Sequence, residues 1–467
     1  MSQRFDLAVI GSGGAAMAAA IHATSLGKSV VMIERGAFGG TCVNTGCVPS
    51  KALIAAAEAR HVAADAARFP GISATAAAVD MTALIGGKQD LVESLRSEKY
   101  LDVAESYGWR RIQGEARFAG TPDAPVIEVG DATIEAAHFL VATGASPAIP
   151  TAFGGVDYLT STTAMELTEV PESLLIVGGG YVALEQAQLF ARLGSKVTML
   201  VRSTLASKEE PEVGKALLEV FADEGIRVVR RAAVSTVEQA DGEVTVTAGV
   251  AGGTQQFRAE RVLVATGRRP NTDGLNLGAV EVKTGETGEI VVDDGLQSSN
   301  PRIWAAGDVT GHREFVYVAA SHGAMVVDNI FTAAERTVDY RHLPRVTFTS
   351  PAVGAVGATE AEVLAAGMRC DCRVLPLKYV PRALVNRDTR GFIKLVVDAD
   401  TGVIHGITAV AKDAGEIAAA GVYILAAAMT VEQVAHSWAP YLTMAEGIKI
   451  AAQSFTTDVS RLSCCAS

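Results

Sequence analysis

The sequence predicts an α/β protein with two Rossmann-like dinucleotide-binding domains and a C-terminal α+β domain. Three observations predict this. Two glycine-rich turns, Gly11-Ser12-Gly13-Gly14-Ala15-Ala16 and Gly178-Gly179-Gly180-Tyr181-Val182-Ala183, each carry a short apolar strand into a helix. Two later strands end in the same four residues, Val141-Ala142-Thr143-Gly144 and Val264-Ala265-Thr266-Gly267, as related halves would. After about Leu343 the chain changes to short strands alternating with helices. The expected division is 1–147 for the first dinucleotide domain, 148–271 for the second, 272–343 for a return to the first, and 344–467 for the C-terminal domain.

At 467 residues the chain is too long for a single core, and an apolar content of 49% with 46 glycines suits a soluble α/β enzyme. A net charge of −12, with basic residues scattered, argues against nucleic acid or an anionic membrane as partner. The longest apolar stretch, Ile417 to Met429, is well short of the ~20 residues that span a bilayer. Asp6 interrupts the opening apolar run, so no signal peptide is expected and the cytoplasm is the expected location. The six cysteines fall into three close pairs, which in a reducing compartment points to redox or metal chemistry rather than a disulfide framework.

Each element follows in order. Residues 5–10 form a strand, a helix runs to about Leu26, and a second strand, Ser29 to Ile33, ends in Glu34. Gly13 lets a pyrophosphate approach the backbone N–H groups of a helix N-terminus, and Glu34 can accept from a ribose hydroxyl. The stretch Gly39-Gly40-Thr41-Cys42-Val43-Asn44-Thr45-Gly46-Cys47-Val48-Pro49-Ser50-Lys51 follows. A helix from Ser50 to about Arg68 puts Cys47 at its start, where thiolate is favoured. Zinc is the competing reading, but four residues intervene and no histidine follows at ligand spacing. Residues 85–107 read as a helix carrying Tyr100. In the second half, strand 174–177, the turn, and a helix with Glu185 lead to strand 196–201. Arg202 and Lys208 stand where an acid would hold an NAD ribose, so a 2′-phosphate, and hence NADPH, is expected. Asp308 closes the strand Asn300 to Gly307; such a strand-end aspartate more often caps, and it is also where a ribityl chain could be held. The C-terminal part is read as strands 345–349, 372–378, 391–398 and 403–410 with helices 359–366, 412–429 and 431–436. Cys370 and Cys372 lie at a strand start, on one face, and are taken as incidental thiols, with a chelating pair as the lesser reading.

The cysteine motif, the two dinucleotide folds, Ala306-Gly307-Asp308 and the C-terminal domain together resemble the flavin-dependent pyridine-nucleotide disulfide oxidoreductases over nearly the whole chain. The resemblance implies FAD held by Gly11, Gly13, Gly14, Ala15, Ala16, Glu34, Gly40, Thr41, Lys51, Thr143, Gly144 and Asp308. It implies NADPH held by Gly178, Gly180, Tyr181, Ala183, Glu185, Arg202, Lys208 and Gly267, with Tyr181 as a lid over the nicotinamide. It makes Cys42–Cys47 the redox-active disulfide, with Cys47 nearest the flavin and Cys42 exchanging with ligands, and makes Lys51–Glu185 an ion pair beside the flavin. It also implies a homodimer.

Members that reduce organic disulfides carry a His-Pro-Thr-x-x-Glu segment whose histidine serves the leaving thiolate. Here Tyr441-Leu442-Thr443-Met444-Ala445-Glu446 keeps the threonine and glutamate but replaces the histidine. With Leu462-Ser463-Cys464-Cys465 near the end, the chain resembles the mercury-reducing branch. That branch implies NADPH-driven reduction of Hg(II), delivered as thiol complexes. Cys464 and Cys465 would hand the ion to Cys42 and Cys47 of the partner subunit, and Tyr100 and Tyr441 would flank the metal. Adjacent cysteines have Cα atoms about 3.8 Å apart, below the disulfide range of about 4.4–6.8 Å, so the tail is expected as an open dithiol. Many members of that branch begin with a small metal-binding domain; this chain starts at the flavin strand, either naturally or as a trimmed core. Two rival readings are a reductase of glutathione- or lipoamide-type disulfides and a thiol-rich metal buffer.

Overall fold

A computed structural model describes residues 4–461. β1 (Arg4–Ile10) leads through α1 (Gly14–Ser25) to β2 (Val30–Glu34). Helices α2 (Gly40–Asn44), α3 (Cys47–Ala64), α4 (Met81–Arg96) and α5 (Asp102–Ser106) follow, with a π turn at Ser97–Leu101 between the last two. Then come β3 (Arg110–Gln113), β4 (Arg117–Thr121), β5 (Ala124–Val129), β6 (Ala132–Val141), β7 (Ala145–Pro147) and β8 (Tyr158–Leu159). The middle of the chain holds α6 (Ser161–Ala164), β9 (Ser173–Val177), α7 (Tyr181–Leu193), β10 (Lys196–Val201), α8 (Pro211–Asp223) and β11 (Arg227–Arg230). It continues with β12 (Ala233–Ala240), β13 (Glu243–Val250), β14 (Gly253–Ala259), β15 (Arg261–Val264), β16 (Arg268–Pro270), β17 (Ile303–Ala305) and α9 (Val316–Phe331). Last are β18 (Pro344–Thr347), β19 (Ala352–Gly357), α10 (Glu360–Ala365), β20 (Cys370–Pro376), α11 (Pro381–Asn386), β21 (Phe392–Asp398), β22 (Ile404–Ala411), α12 (Ala414–Ala426), α13 (Val431–His436) and α14 (Glu446–Gln453).

The first sheet has the order β3-β2-β1-β6, with β17 added parallel on β6 and with β5 and β4 continuing antiparallel. β1 pairs parallel with both β2 and β6, and Leu7, Ala8 and Val9 are wholly buried, as a strand covered on both faces requires. The second sheet, β11-β10-β9-β15-β8, is parallel throughout, with β12-β13-β14 packed beside it as an antiparallel meander. β7 and β16 pair antiparallel, so the chain enters and leaves the second half side by side. The third sheet, β18-β19-β22-β21-β20, is antiparallel.

The core ties these parts around α3. One apolar cluster holds Leu53 and Ala57 of α3, Met81 and Ile85 of α4, Leu184 and Ala187 of α7, and Val353, Phe392 and Val410 of the C-terminal sheet. The helix that opens on Cys47 is therefore wedged between all three regions.

Several elements differ from the sequence reading. The helix read as 85–107 starts at Met81, because Asp80 caps it by accepting from the Ala83 N–H, and it is interrupted by the π turn that carries Tyr100. The helix read as 412–429 begins only after Asp413, which adopts φ 59°, and stops at Ala426. β19, the segment Ala352-Val-Gly-Ala-Val-Gly357, is not among the strands read from the sequence. It is a central strand onto which α12 packs closely, and a Cβ on Gly354 would lie 2.0 Å from the Ala414 carbonyl oxygen. No described helix is long and apolar enough to cross a membrane.

Candidate active site

The paired cysteines occupy a bend that only glycines permit. Gly40 has φ +68°, and a Cβ there would lie 2.5 Å from Gly13 Cα, so this segment lies flush on the first glycine-rich turn. Gly39 has φ +108°, with Val43 and the Tyr100 ring against it. The Asn44 amide donates to the carbonyls of Phe38 (3.1 Å) and Gly40 (2.9 Å), which fixes the single turn of α2 that holds Cys42. Gly46 caps α3, and Cys47 is that helix's first residue.

The two sulfurs are reduced and unequal. Cys47 is exposed and Cys42 half-buried. The hydrogen bond from Cys42 brings the Cys47 thiol down to about 6, and the Lys51 ammonium helps, against the opposing effect of burial. The same bond, with burial, pushes Cys42 well above the ordinary thiol range. The pair thus holds one thiolate and one thiol near neutral pH.

Around the pair, α3 and α7 meet through Lys51 Nζ and Glu185 Oε2 at 2.8 Å. Glu185 is 4% exposed, and its Oε1 accepts the Phe348 N–H at 2.9 Å. The Lys51 ammonium also lies 4.7 Å from the centre of the Phe348 ring. One carboxylate therefore links all three regions of the chain. Tyr100 reaches the pair from the π turn; burial first, and then the charge of the two sulfurs, raise its phenol above the ordinary range. Tyr181, the first residue of α7, is exposed beside Phe315, with ring centroids 6.5 Å apart.

Tyr441 stands on the C-terminal domain, half exposed, on the turn before α14. That turn is held by Glu446, 2% exposed, whose Oε2 accepts the Leu442 N–H at 3.1 Å. The Thr443 hydroxyl accepts the Glu446 N–H at 3.2 Å, and Leu442 takes φ 60° between them. Threonine and glutamate thus shape the loop on which the aromatic side chain replaces the expected histidine. Within one chain Tyr441 and Cys42 belong to different domains. Cys464 and Cys465 lie outside the described residues.

The two glycine-rich turns are built alike. A Cβ on Gly11 (φ +105°) would lie 2.3 Å from the Ala142 carbonyl oxygen, and one on Gly178 (φ +141°) 2.2 Å from that of Ala265. Each turn is pressed against the strand that ends in Val-Ala-Thr-Gly. The N-caps of α1 and α7, Gly13 and Gly180, bring no side-chain acceptor to the first N–H groups of either helix. Such a helix start suits a pyrophosphate. In the first turn Gly14 opens α1, with Ala15 and Ala16 buried behind it. Glu34 accepts from the Ser12 hydroxyl (2.7 Å) and the Gly36 N–H (2.7 Å), leaving lone pairs for a ribose. Thr41 is exposed at the start of α2. The Thr143 hydroxyl donates to the Asn271 carbonyl at 2.7 Å, and the Asn271 N–H donates to the Gly144 carbonyl at 2.9 Å. Burial raises the Asp308 carboxyl above its usual range, with Arg268 3.8 Å away opposing that shift. In the second turn Ala183 is buried, and a Cβ on Gly180 or Gly267 would meet nothing within 4 Å. Arg202 and Lys208 are exposed beyond β10. Their loop is tied to the turn by the Ala206 N–H, which donates to the Gly179 carbonyl at 2.9 Å. The first cradle fits FAD, and the second, with its two cations, fits NADPH.

Sequence reading missed four supporting residues. Ser12 donates to Glu34 and accepts the Gly39 N–H at 3.0 Å, linking the turn, the acid and the cysteine segment. Asn44 and Phe348 act as described above. Arg268 follows directly on the second Val-Ala-Thr-Gly strand, and that adjacency was the one available signal. Cys370 and Cys372 are corrected: they are joined in a disulfide, with Cα atoms 6.1 Å apart, and are not separate thiols. The strand pleat places positions i and i+2 on one face, and on β20 that brings the sulfurs together.

Residues 5–323 match the pyridine nucleotide-disulphide oxidoreductase family and residues 343–452 match its dimerisation domain. The chain belongs to the pyridine nucleotide-disulphide oxidoreductases, enzymes that use FAD and NADPH. Within that family it is 58% identical to a mercuric reductase of Streptomyces lividans, over 99% of this chain and 98% of that one. It is 46% identical to a mercuric reductase of Staphylococcus aureus, over 99% of this chain and 84% of the relative. Among solved structures, the Cu(II) complex of the HOCl-induced flavoprotein disulfide reductase RclA from Escherichia coli superposes with a TM-score of 0.86. It is 26% identical and covers 97% of this chain and all of that one.

Proposed function

We propose that this chain is the subunit of a homodimeric enzyme that reduces Hg(II), presented as a complex of small thiols, to elemental mercury at the expense of NADPH. One observation carries the proposal: two cysteine side chains in hydrogen-bond contact at the start of α3, flush on the first dinucleotide cradle and tied to the second through Lys51 and Glu185. The resemblance to mercuric reductases supplies the substrate.

FAD, held by the first glycine-rich turn with Glu34 and Asp308, would supply two-electron transfer between NADPH and the sulfur pair. The protein's own part is ligand exchange. A soft cation prefers two thiolates in near-linear array, and Cys42 and Cys47 offer them from one rigid bend. The Cys47 thiolate displaces the first small thiol without losing a proton. Cys42 displaces the second, and its proton leaves on the departing thiolate. The Lys51 ammonium, positioned by Glu185, favours the Cys47 thiolate, the Glu185 carboxylate opposes it more weakly, and Tyr100 lies against the bend that carries the pair. The reaction balances as NADPH plus the Hg(II) bis-thiolate giving NADP⁺, Hg(0), one small thiolate and one small thiol; the proton set free when NADPH is oxidised returns to Cys42, so both sulfurs are left as they began.

Tyr441 belongs to the same site, contributed by the partner subunit, and Cys464 and Cys465 deliver the ion there. Exposed aromatic side chains on the C-terminal domain, Trp438 fully exposed and Tyr423 at 76%, are surface of the kind that a subunit contact covers. Replacing the disulfide-reductase histidine by Tyr441 removes the proton donor for an organic thiolate and weakens the rival reading.

The test is NADPH consumption on adding mercuric chloride with excess small thiol, with total mercury in solution followed in parallel. Consumption matched by loss of volatile mercury is expected. Brisk oxidation with a small organic disulfide and none with Hg(II) would overturn the proposal.

A further inference from the structure

Cys370, Cys372 and Glu360 form a second cluster of soft-metal ligands. The sulfurs lie on β20, the outermost strand of the C-terminal sheet. One carboxylate oxygen of Glu360, on α10, lies with both sulfurs in a group whose atoms are all within 4.8 Å of one another. All three residues are partly exposed. Among the described residues this is the only such group of His, Cys, Asp and Glu side chains. The Glu360 carboxylate is held from behind: its Oε2 accepts from Lys394 Nζ at 2.8 Å, and its backbone N–H donates to Glu210 Oε1 at 2.7 Å. The adjacent acid, Asp371, pairs with Arg373 and takes no part.

We propose that, once reduced, Cys370 and Cys372 bind one Hg(II) as a bis-thiolate with Glu360 as a third, weaker oxygen ligand. This is a binding site apart from Cys42 and Cys47, and it is closed whenever the disulfide is formed. Two small-thiol molecules open it: they give up two hydrogens to the two sulfurs and leave as one small disulfide. The ion then exchanges in without any change in oxidation state. Its two small-thiol ligands leave as thiols, carrying the protons of Cys370 and Cys372. The disulfide has no thiolate to offer, so occupancy follows the thiol poise of the surroundings. The choice of Hg(II) rests on the function proposed above. The site itself rests only on the side chains, and its test counts bound metal rather than turnover.

The experiment uses the full chain with its FAD, reduced with a small thiol, freed of excess, and equilibrated with mercuric chloride without NADPH. Mercury per chain is measured by mass spectrometry after gel filtration. Cys370→Ser with Cys372→Ser is expected to bind one equivalent fewer than the parent, with NADPH-driven turnover unchanged. Glu360→Gln is expected to keep that equivalent but to release it at about tenfold lower competing thiol. In the unmutated protein, Hg(II) is expected to protect both cysteines from iodoacetamide, as read by peptide mapping. An unchanged metal count in the double variant, or full alkylation of both residues with Hg(II) present, overturns the site. An unchanged thiol requirement in Glu360→Gln overturns the three-ligand form. If turnover with Hg(II) fails while the missing equivalent is seen, the enzymatic proposal falls and this one stands.

Discussion

At the scale of single residues, the site is defined by the inequality of two sulfurs five positions apart. Cys47 gains a helix start, a hydrogen bond from Cys42 and the nearby Lys51 charge, while Cys42 is left as the protonated partner. A lowered thiol value means that thiolate is present above about 6 and lost below it. Alkylation of Cys47 by iodoacetamide is therefore expected to rise with pH through about 6, whereas an ordinary thiol rises near about 8.5. Lys51→Met is expected to move that midpoint upward; peptide mapping over a pH series checks both, and an unmoved midpoint removes the lysine's role. Arg202 makes a similar residue-scale case. It is exposed beside the second turn with no acid in its place; if it holds a 2′-phosphate as proposed, Arg202→Glu takes away a charge-assisted bond. Such a bond contributes about 1.5–3 kcal/mol, so the ratio of kcat/KM for NADPH over NADH is expected to fall roughly tenfold or more.

At the scale of elements, what matters is how α3 is held. Its inner face packs on α7 and on the C-terminal sheet, and Glu185 reaches both Lys51 and the Phe348 backbone. A second staple lies farther out. Lys394 on β21 is 1% exposed and donates to Glu210 (2.9 Å), Glu212 (3.0 Å) and Glu360 (2.8 Å). Two of those carboxylates sit at the start of α8, where the helix end itself favours negative charge. Lys394→Met leaves Glu210, also 1% exposed, without its cation. Breaking a buried pair in this way costs about 3–5 kcal/mol. A clear fall in the urea midpoint is expected, with the second dinucleotide domain loosening first in hydrogen exchange. A midpoint unchanged from the parent would show that the cluster is not a clamp.

At the scale of the whole molecule, the proposed site needs two chains. Tyr441 lies on the C-terminal domain and Cys42 on the first, and the symmetry of a twofold dimer brings such a pair together twice. Mixing subunits tests this directly. One parent carries Cys42→Ser with Cys47→Ser, and the other carries Cys464→Ala with Cys465→Ala. Each alone is expected to be nearly inactive on thiol-bound mercury. After dissociation and random reassociation, half the dimers are mixed, and each has one intact site if the tail acts across the interface. About a quarter of the parent activity should return. No recovery in verified mixed dimers would mean that the tail serves its own chain, and full activity of the tail variant by itself would mean that it serves no site.

Much of this was legible in the chain because it depends on local spacing. The strand, Gly-rich turn, helix and acid lie within a few dozen residues, and helix α3 follows from the residues after Cys47. Likewise the repeated Val-Ala-Thr-Gly marks the second half within the sequence itself. Contacts between distant segments could not be read that way. β19 is a strand because it pairs with β22 and α12 lies on it, and the Glu185–Lys51 pair joins positions 134 residues apart. Cys370 and Cys372 were legible as neighbours on one face, yet whether their sulfurs bond, and that Glu360 faces them, was set by the packing of α10 against β20. The sequence by itself determined the fold class, the two cradles and the reactive pair, since backbone propensity and glycine geometry act over a few residues. The helix start already marks Cys47 as the favoured thiolate; only the tertiary structure decided what surrounds the pair, Glu185 and Phe348 among them, because electrostatics and burial depend on groups that the chain brings together from far apart.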